Sequence, residues 1–211
     1  MSSRPIENVF VAALNYRIDP TVFYQNVLEI KIPFLVIENK TLYTENYCTE
    51  AITGFEVHLT DEIFPAISVF PSEKSHDVTI ICYGQNLSVV EKLIHEIFEE
   101  TEILCQIYCP TLLSPFNVSP LMNKLNKEEN LLFIEEGSGF ASFSSEVLTQ
   151  LTETGIKIRN IRRLCNNTTI PSSAHASTIL SSVSSFKISS VSFPLAISAL
   201  AFTSSIYSVF S

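Results

Sequence analysis

Two carboxylates stand side by side at Glu135-Glu136, directly after the apolar run Leu131-Leu132-Phe133-Ile134 and just before Gly137. Paired carboxylates at the end of a parallel-type strand can share acid and base roles, because α/β sheets place their sites at strand carboxyl ends. Arg159, Arg162 and Arg163 form the one basic cluster of the chain. Guanidinium forks take a carboxylate or a phosphate, so these residues suit either an anionic ligand or ion pairs with the many glutamates. His58 and His76 lie near Asp61 and Asp77. These are metal-ligating types, but their loop setting reads as solvated polar positions. His95 sits between Ile94 and Glu96 and reads as a helix-face histidine beside Glu91 and Glu99 rather than as a general base. The run Glu91, Glu96, Glu99, Glu100 and Glu102 reads as a solvated helix face. Cys105 and Cys109 are not followed by a second ligand pair at zinc spacing, so the five cysteines read as reduced thiols, mostly in the core. No catalytic, cofactor-binding or metal residue is assigned on these grounds.

The elements that must position these groups follow from periodicity. Val78 to Tyr83 is a β-branched, apolar run ended by Gly84, as a buried strand should be. Ser88 is placed to cap a helix carrying Val89, Val90, Leu93, Ile94 and Ile97 at helical spacing. Ile103 to Tyr108 is a second strand, and Asn117 or Ser119 can cap a short helix through Leu125. Leu131 to Ile134 is a third strand, Ser145 to Leu151 a helix, and Ile158 to Leu164 a fourth strand. Upstream, Asn8 to Leu14 reads as a strand. Asp19-Pro20 starts a helix that points Val22, Phe23, Val27 and Leu28 at a core, and Pro33 to Ile37 is a buried strand. Phe55 to Leu59 reads as an edge strand. The expected fold is α/β: an open, mostly parallel sheet flanked by helices.

Three motifs recur in fixed order: Tyr83-Gly84 after a strand, Thr111-Leu112-Leu113-Ser114-Pro115-Phe116-Asn117 after the next, and Glu135-Glu136-Gly137 with Ser142-Phe143-Ser144-Ser145-Glu146 after the third. This series resembles the C-terminal domain of transketolase-like, thiamin-diphosphate-dependent enzymes. It is most similar to the beta subunit of the 2-oxo acid dehydrogenase decarboxylase component. Pro33-Phe34-Leu35-Val36-Ile37-Glu38-Asn39-Lys40-Thr41-Leu42-Tyr43 resembles the close of that family's pyrimidine-binding domain. The resemblance runs from near Val9 to about Ala176. It implies that residues 1–43 end a pyrimidine-binding-like domain, 44–76 link, and 77–176 form the transketolase C-terminal-like domain. The 177–211 stretch is then a serine-rich tail, atypical or disordered. Glu135, Glu136, Phe143 and Glu146 are expected at a subunit interface beside an active-site mouth. Arg162 and Arg163 are expected on the neighbouring surface that docks an acyltransferase core. Serines 142 and 144 replace the family's glycines, so the loop's shape and any anion-binding role depart from the pattern.

The resemblance also implies thiamin diphosphate and Mg2+, but only in a complete assembly with an alpha-type subunit. The family's cofactor-activating glutamate lies upstream of the matching region, and no Gly-Asp-Gly run or Gly-rich phosphate loop occurs in the chain. None is expected to bind this chain alone. A net charge of −9 argues against nucleic acid as a partner. The start MSSRPIENVF lacks a basic-then-apolar signal pattern, so a reducing, cytoplasmic compartment is expected. From Ser177 on there is no acidic residue and one cation, Lys187, and Ile188 to Ser211 is long enough to reach across a bilayer as a helix. An aberrant or disordered tail and a membrane anchor are therefore both open. The functional expectation is a partial beta-type subunit that supplies assembly and docking. A non-catalytic dimerisation module, tethered or not by the tail, is the alternative. Which 2-oxo acid is used is not legible.

Overall fold

The computed structural model describes residues 9–44, 46–73, 75–125, 128–137, 139–165 and 175–190. In chain order the strands are β1 (Phe10–Ala13), β2 (Phe34–Ile37), β3 (Phe55–Leu59), β4 (Ile67–Pro71), β5 (Val78–Cys82), β6 (Cys105–Cys109), β7 (Leu112–Ser114), β8 (Glu128–Glu135) and β9 (Lys157–Cys165). The helices are α1 (Pro20–Glu29), α2 (Asn86–Thr101), α3 (Ser119–Met122), α4 (Phe143–Glu153) and α5 (His175–Ser190). Six strands form one sheet in the order β3-β4-β6-β5-β8-β9, and three form a smaller one in the order β2-β1-β7. The larger sheet is parallel across β6, β5, β8 and β9 and antiparallel at its β3–β4 edge. The stretch read as a linker thus carries two strands of this sheet.

β5 sits between two parallel partners, and all five of its residues are buried. A strand covered on both faces needs apolar residues at every position, and Val78-Thr79-Ile80-Ile81-Cys82 nearly supplies them. Its alternation feeds two cores. Val78, Ile80 and Cys82 join Leu132, Val90, Ile94 and Ile97 on the face covered by α2 and α5. Ile81 joins Phe133, Leu121, Val147 and Leu151 on the face covered by α3 and α4. The result is three layers, helix–sheet–helix.

Several local expectations are corrected. Ser88 lies inside α2, two residues past its start, and its hydroxyl donates back to the Gln85 carbonyl (3.0 Å) instead of capping. Asp19 does cap α1, accepting from the Thr21 N–H (2.8 Å), with Pro20 at the first turn. But α1 buries only Phe23; Val22 and Leu28 are 52% and 83% exposed. β2 alternates rather than being buried throughout: Phe34 and Val36 pack on the core, while Leu35 and Ile37 are 56% and 40% exposed. Glu91 is not on a solvated face. It lies four residues after Leu87 and three before Ile94, on the apolar stripe of α2, and is buried.

The serine-rich stretch does not leave the fold at residue 177. Ile179, Val183 and Phe186 recur at i, i+4 and i+7, and that spacing buries all three against the α2 side of the sheet. Among the described residues, no helix is long and apolar enough to cross a membrane. The rest of the proposed anchor, 191–211, and the 166–171 turn after β9 lie outside the described residues.

Candidate functional site

The site forms where β8 and β9 end and α4 begins. β8 and β9 pair in parallel with Glu135 opposite Cys165 and Phe133 opposite Arg163, so alternation turns Glu135, Arg163 and Cys165 to one face. Glu135 is only 5% exposed. Its carboxylate accepts from the Ser144 hydroxyl (2.5 Å), the Ser144 N–H (3.3 Å) and the Cys165 thiol (3.4 Å). The Arg163 guanidinium stands 3.6 Å away and also donates to Ser142 Oγ (2.9 Å) and to the Gly139 carbonyl. Burial pushes the Glu135 carboxyl up. The hydroxyls of Ser144 and Ser142, the Ser144 N–H and the thiol outweigh it, so the carboxyl is held below its ordinary range. In turn, burial and Glu135 push the Cys165 thiol up.

The Ser144 N–H belongs to the first turn of α4, where unpaired N–H groups and the helix dipole favour an anion. That place is taken by Glu135 itself. The loop's anion-binding capacity is therefore turned inward, onto the chain's own carboxylate. Gly139 closes the arrangement at φ +74; a Cβ there would lie 2.9 Å from Cys165 Sγ and 3.2 Å from the Arg163 guanidinium.

The six residues singled out from the sequence do not form one cluster. Glu135 and Arg163 meet. Phe143 lies beside them, its ring edge-on to Tyr83 and Phe116 at 5.8 and 5.2 Å between centroids. Glu136 is exposed at the turn. Glu146 is exposed on α4 and accepts from Gln150 one turn later (2.8 Å). Arg162 faces the other side of the sheet, 5.7 Å over the Phe186 ring of α5. Ser144, Cys165 and Gly139 were missed, since nothing before the strand register sets Cys165 opposite Glu135.

Other acidic groups are equally engaged. Glu91 pairs with the Arg17 guanidinium at 2.8 Å inside the protein and accepts from the Tyr16 hydroxyl, which burial and then Glu91 push up. Glu129 is buried against His76 (3.2 Å) and Thr79 (3.0 Å), and Thr79 accepts from Gln106 (2.6 Å). Glu38 accepts from Tyr43 (2.6 Å) and from Tyr24, and those two hydroxyls hold its carboxyl below its usual range. Tyr24 is pushed up to about 12 by burial and then by Glu38. His58 stacks on Phe70 (4.9 Å) and pairs with Glu56 (3.2 Å), so it does not join His76. His95 is exposed and edge-on to Phe55. Among the described residues, no group of three or more His, Cys, Asp or Glu is placed to hold a metal ion. All five cysteines are free thiols. With their buried glutamates bound to protein donors, the described residues do not form a donor set that fits thiamin diphosphate and Mg2+.

What the fold and site define is a three-layer α/β domain with a parallel centre, an antiparallel edge and its polar groups tied to one another. Residues 70–184 match the family model "Transketolase, C-terminal domain", and the chain belongs to that family. The match runs past Ala176 into α5, so the family pattern extends further than the motifs alone indicated. Among solved structures, "Split gene transketolase, inactive beta4 tetramer" shares the fold at a TM-score of 0.52 and 16% identity, over 88% of this chain and 58% of that one. This chain therefore spans little more than half of that relative. A 2-oxoglutarate:ferredoxin oxidoreductase from Magnetococcus marinus is similar at a TM-score of 0.38 and 16% identity, over 63% of this chain and 19% of that one. No curated protein matches the sequence.

Proposed function

We propose that the chain is a partial beta-type subunit of a thiamin-diphosphate-dependent 2-oxo acid dehydrogenase, acting on a substrate such as pyruvate or a branched-chain keto acid. Its part is assembly and docking. The groups that bind the cofactor's diphosphate come from an alpha-type partner, the glutamate that activates its ring comes from pyrimidine-binding sequence outside the matching region, and an acyltransferase core docks nearby. The observation that carries this reading is the small sheet. β1 and β2 pair in parallel, and parallel ladders are normally covered on both faces. Here one face packs on the core, through Ala12, Phe34 and Val36, while Leu35 and Ile37 project from the other. Such a surface calls for a covering polypeptide. The interface role of Glu135, Glu136, Phe143, Glu146, Arg162 and Arg163 belongs to the same proposal, as does a cytoplasmic location.

The test is reconstitution. The chain, a pyrimidine-binding segment carrying the activating glutamate, an alpha-type subunit, thiamin diphosphate and Mg2+ are combined, and carbon dioxide release from pyruvate or a branched-chain keto acid is followed. Release by the mixture and none by the chain alone is expected. Release by the partner-free chain would refute the proposal. A second reading, a non-catalytic self-associating module, is supported by the fold shared with a protein described as an inactive beta4 tetramer. It predicts self-association, with no activity whatever subunit is added.

A further inference from the structure

On the α2–α5 side of the Glu135 turn lies a cavity of about 150 Å3. Its walls are apolar: Val90 from α2, Ile134 from the end of β8 and Ile179 from α5. Asn86, the first residue of α2 and 6% exposed, also lines it. Its Nδ2 has no hydrogen-bond partner among the described residues. A buried amide N–H without an acceptor is unfavourable, and native proteins rarely leave one. The nitrogen itself is covered, but χ2 of asparagine is a soft torsion, so the amide can turn toward the cavity that its residue lines. The lining also includes Glu135, Glu136 and one arginine, Arg163. Two acidic residues to one arginine give the lining a net negative charge, which disfavours anions.

We infer that this cavity is a binding site for a compact, uncharged aliphatic molecule whose carbonyl or hydroxyl oxygen accepts from Asn86 Nδ2. The volume matches a ligand of about six heavy atoms, since an engineered apolar cavity of similar volume takes benzene. A branched aliphatic carboxamide fits this lining: its oxygen suits Asn86 Nδ2, and its alkyl group suits Val90, Ile134 and Ile179. The lining shares Glu135, Glu136 and Arg163 with the proposed interface but no residue of β2, and binding is read on the chain alone, so its failure and that of the assembly role are distinguishable.

The test uses isobutyramide and its isosteric anion isobutyrate, titrated against the methyl-labelled full chain by NMR. Saturable isobutyramide binding is expected, with shifts at the Asn86 side-chain NH2 and the Ile134 and Ile179 methyls, and isobutyrate at least tenfold weaker. Asn86→Asp keeps the shape, suits the first turn of a helix and removes the donor; it should weaken isobutyramide at least tenfold. Asn86→Ala should act in the same direction. Equal affinity for amide and anion, unchanged binding by both variants, or shifts that do not map to these residues would each overturn the inference.

Discussion

Glu135 is where one residue's surroundings decide its chemistry. Adjacent carboxylates suggested an acid–base pair, yet Glu135 is buried under donors and Glu136 is exposed, so the two do not act alike. A carboxyl whose folded pKa is depressed stabilises the fold above its unfolded value. That contribution is lost as the pH falls through the folded value. Ser144→Ala removes the hydroxyl donor, the first of the groups that pull this carboxyl down. It should cost about 1.5–3 kcal/mol at pH 7, the usual worth of a hydrogen bond to a charged group. The cost should shrink as the pH falls below the ordinary carboxyl value of 4.5 and vanish once it has passed through the lower folded value, where Glu135 itself becomes protonated. Urea unfolding of both proteins over a descending pH series from 7 measures this, and a cost that stays constant to the acid end of the series would show that the charge is not what Ser144 holds. The sequence showed that a strand ends at Glu135. It did not show that Ser144 and Cys165 converge on it, because that depends on register and on the backbone bend at Gly139.

At the scale of elements, two contacts tie separated segments together. Arg17, in the connection after β1, forms its buried ion pair with Glu91 on α2 and also donates to the Glu50 carbonyl (2.9 Å). Removing one partner leaves the other charge buried and uncompensated. Arg17→Ala should therefore cost about 3–5 kcal/mol, and Arg17→Met combined with Glu91→Leu should recover most of it. A double-mutant cycle in urea reads the coupling; additive losses would mean that the pair is not joined in solution. The second contact is α5 on α2. Ile179→Ala should cost about 2–4 kcal/mol, as buried isoleucine truncations do. A change within about 0.5 kcal/mol would mean that α5 is not docked. Strand and helix periods were legible for nearly every element of the larger sheet. What composition hid was α5: abundant serine masked three apolar residues at helical spacing. Similarly, counting charges hid Glu91, whose place on the apolar stripe of α2 marks it as a buried partner.

At the scale of the molecule, the two sheets share one core, in which Ala12 and Phe34 of the smaller sheet pack with Phe64 and Ile67. The smaller sheet is therefore held at one face and open at the other. The free edge of β2 is unpaired among the described strands, and edges with exposed apolar residues recruit other chains unless they are blunted. Periodicity located β2 in the sequence but could not reveal this openness, because alternation with apolar residues at every position reads as burial. If β2 is the assembly surface, Leu35→Lys with Ile37→Lys should abolish association, whether with further copies or with an alpha-type partner. Folding stability should change by no more than about 1 kcal/mol, since both side chains already stand partly in solvent. Sedimentation velocity should then show a species of one chain where the unmodified protein sediments as a larger one. A double variant that still assembles would move the interface off β2, leaving the turn at Glu135 and Glu136 as the remaining surface for a partner to engage.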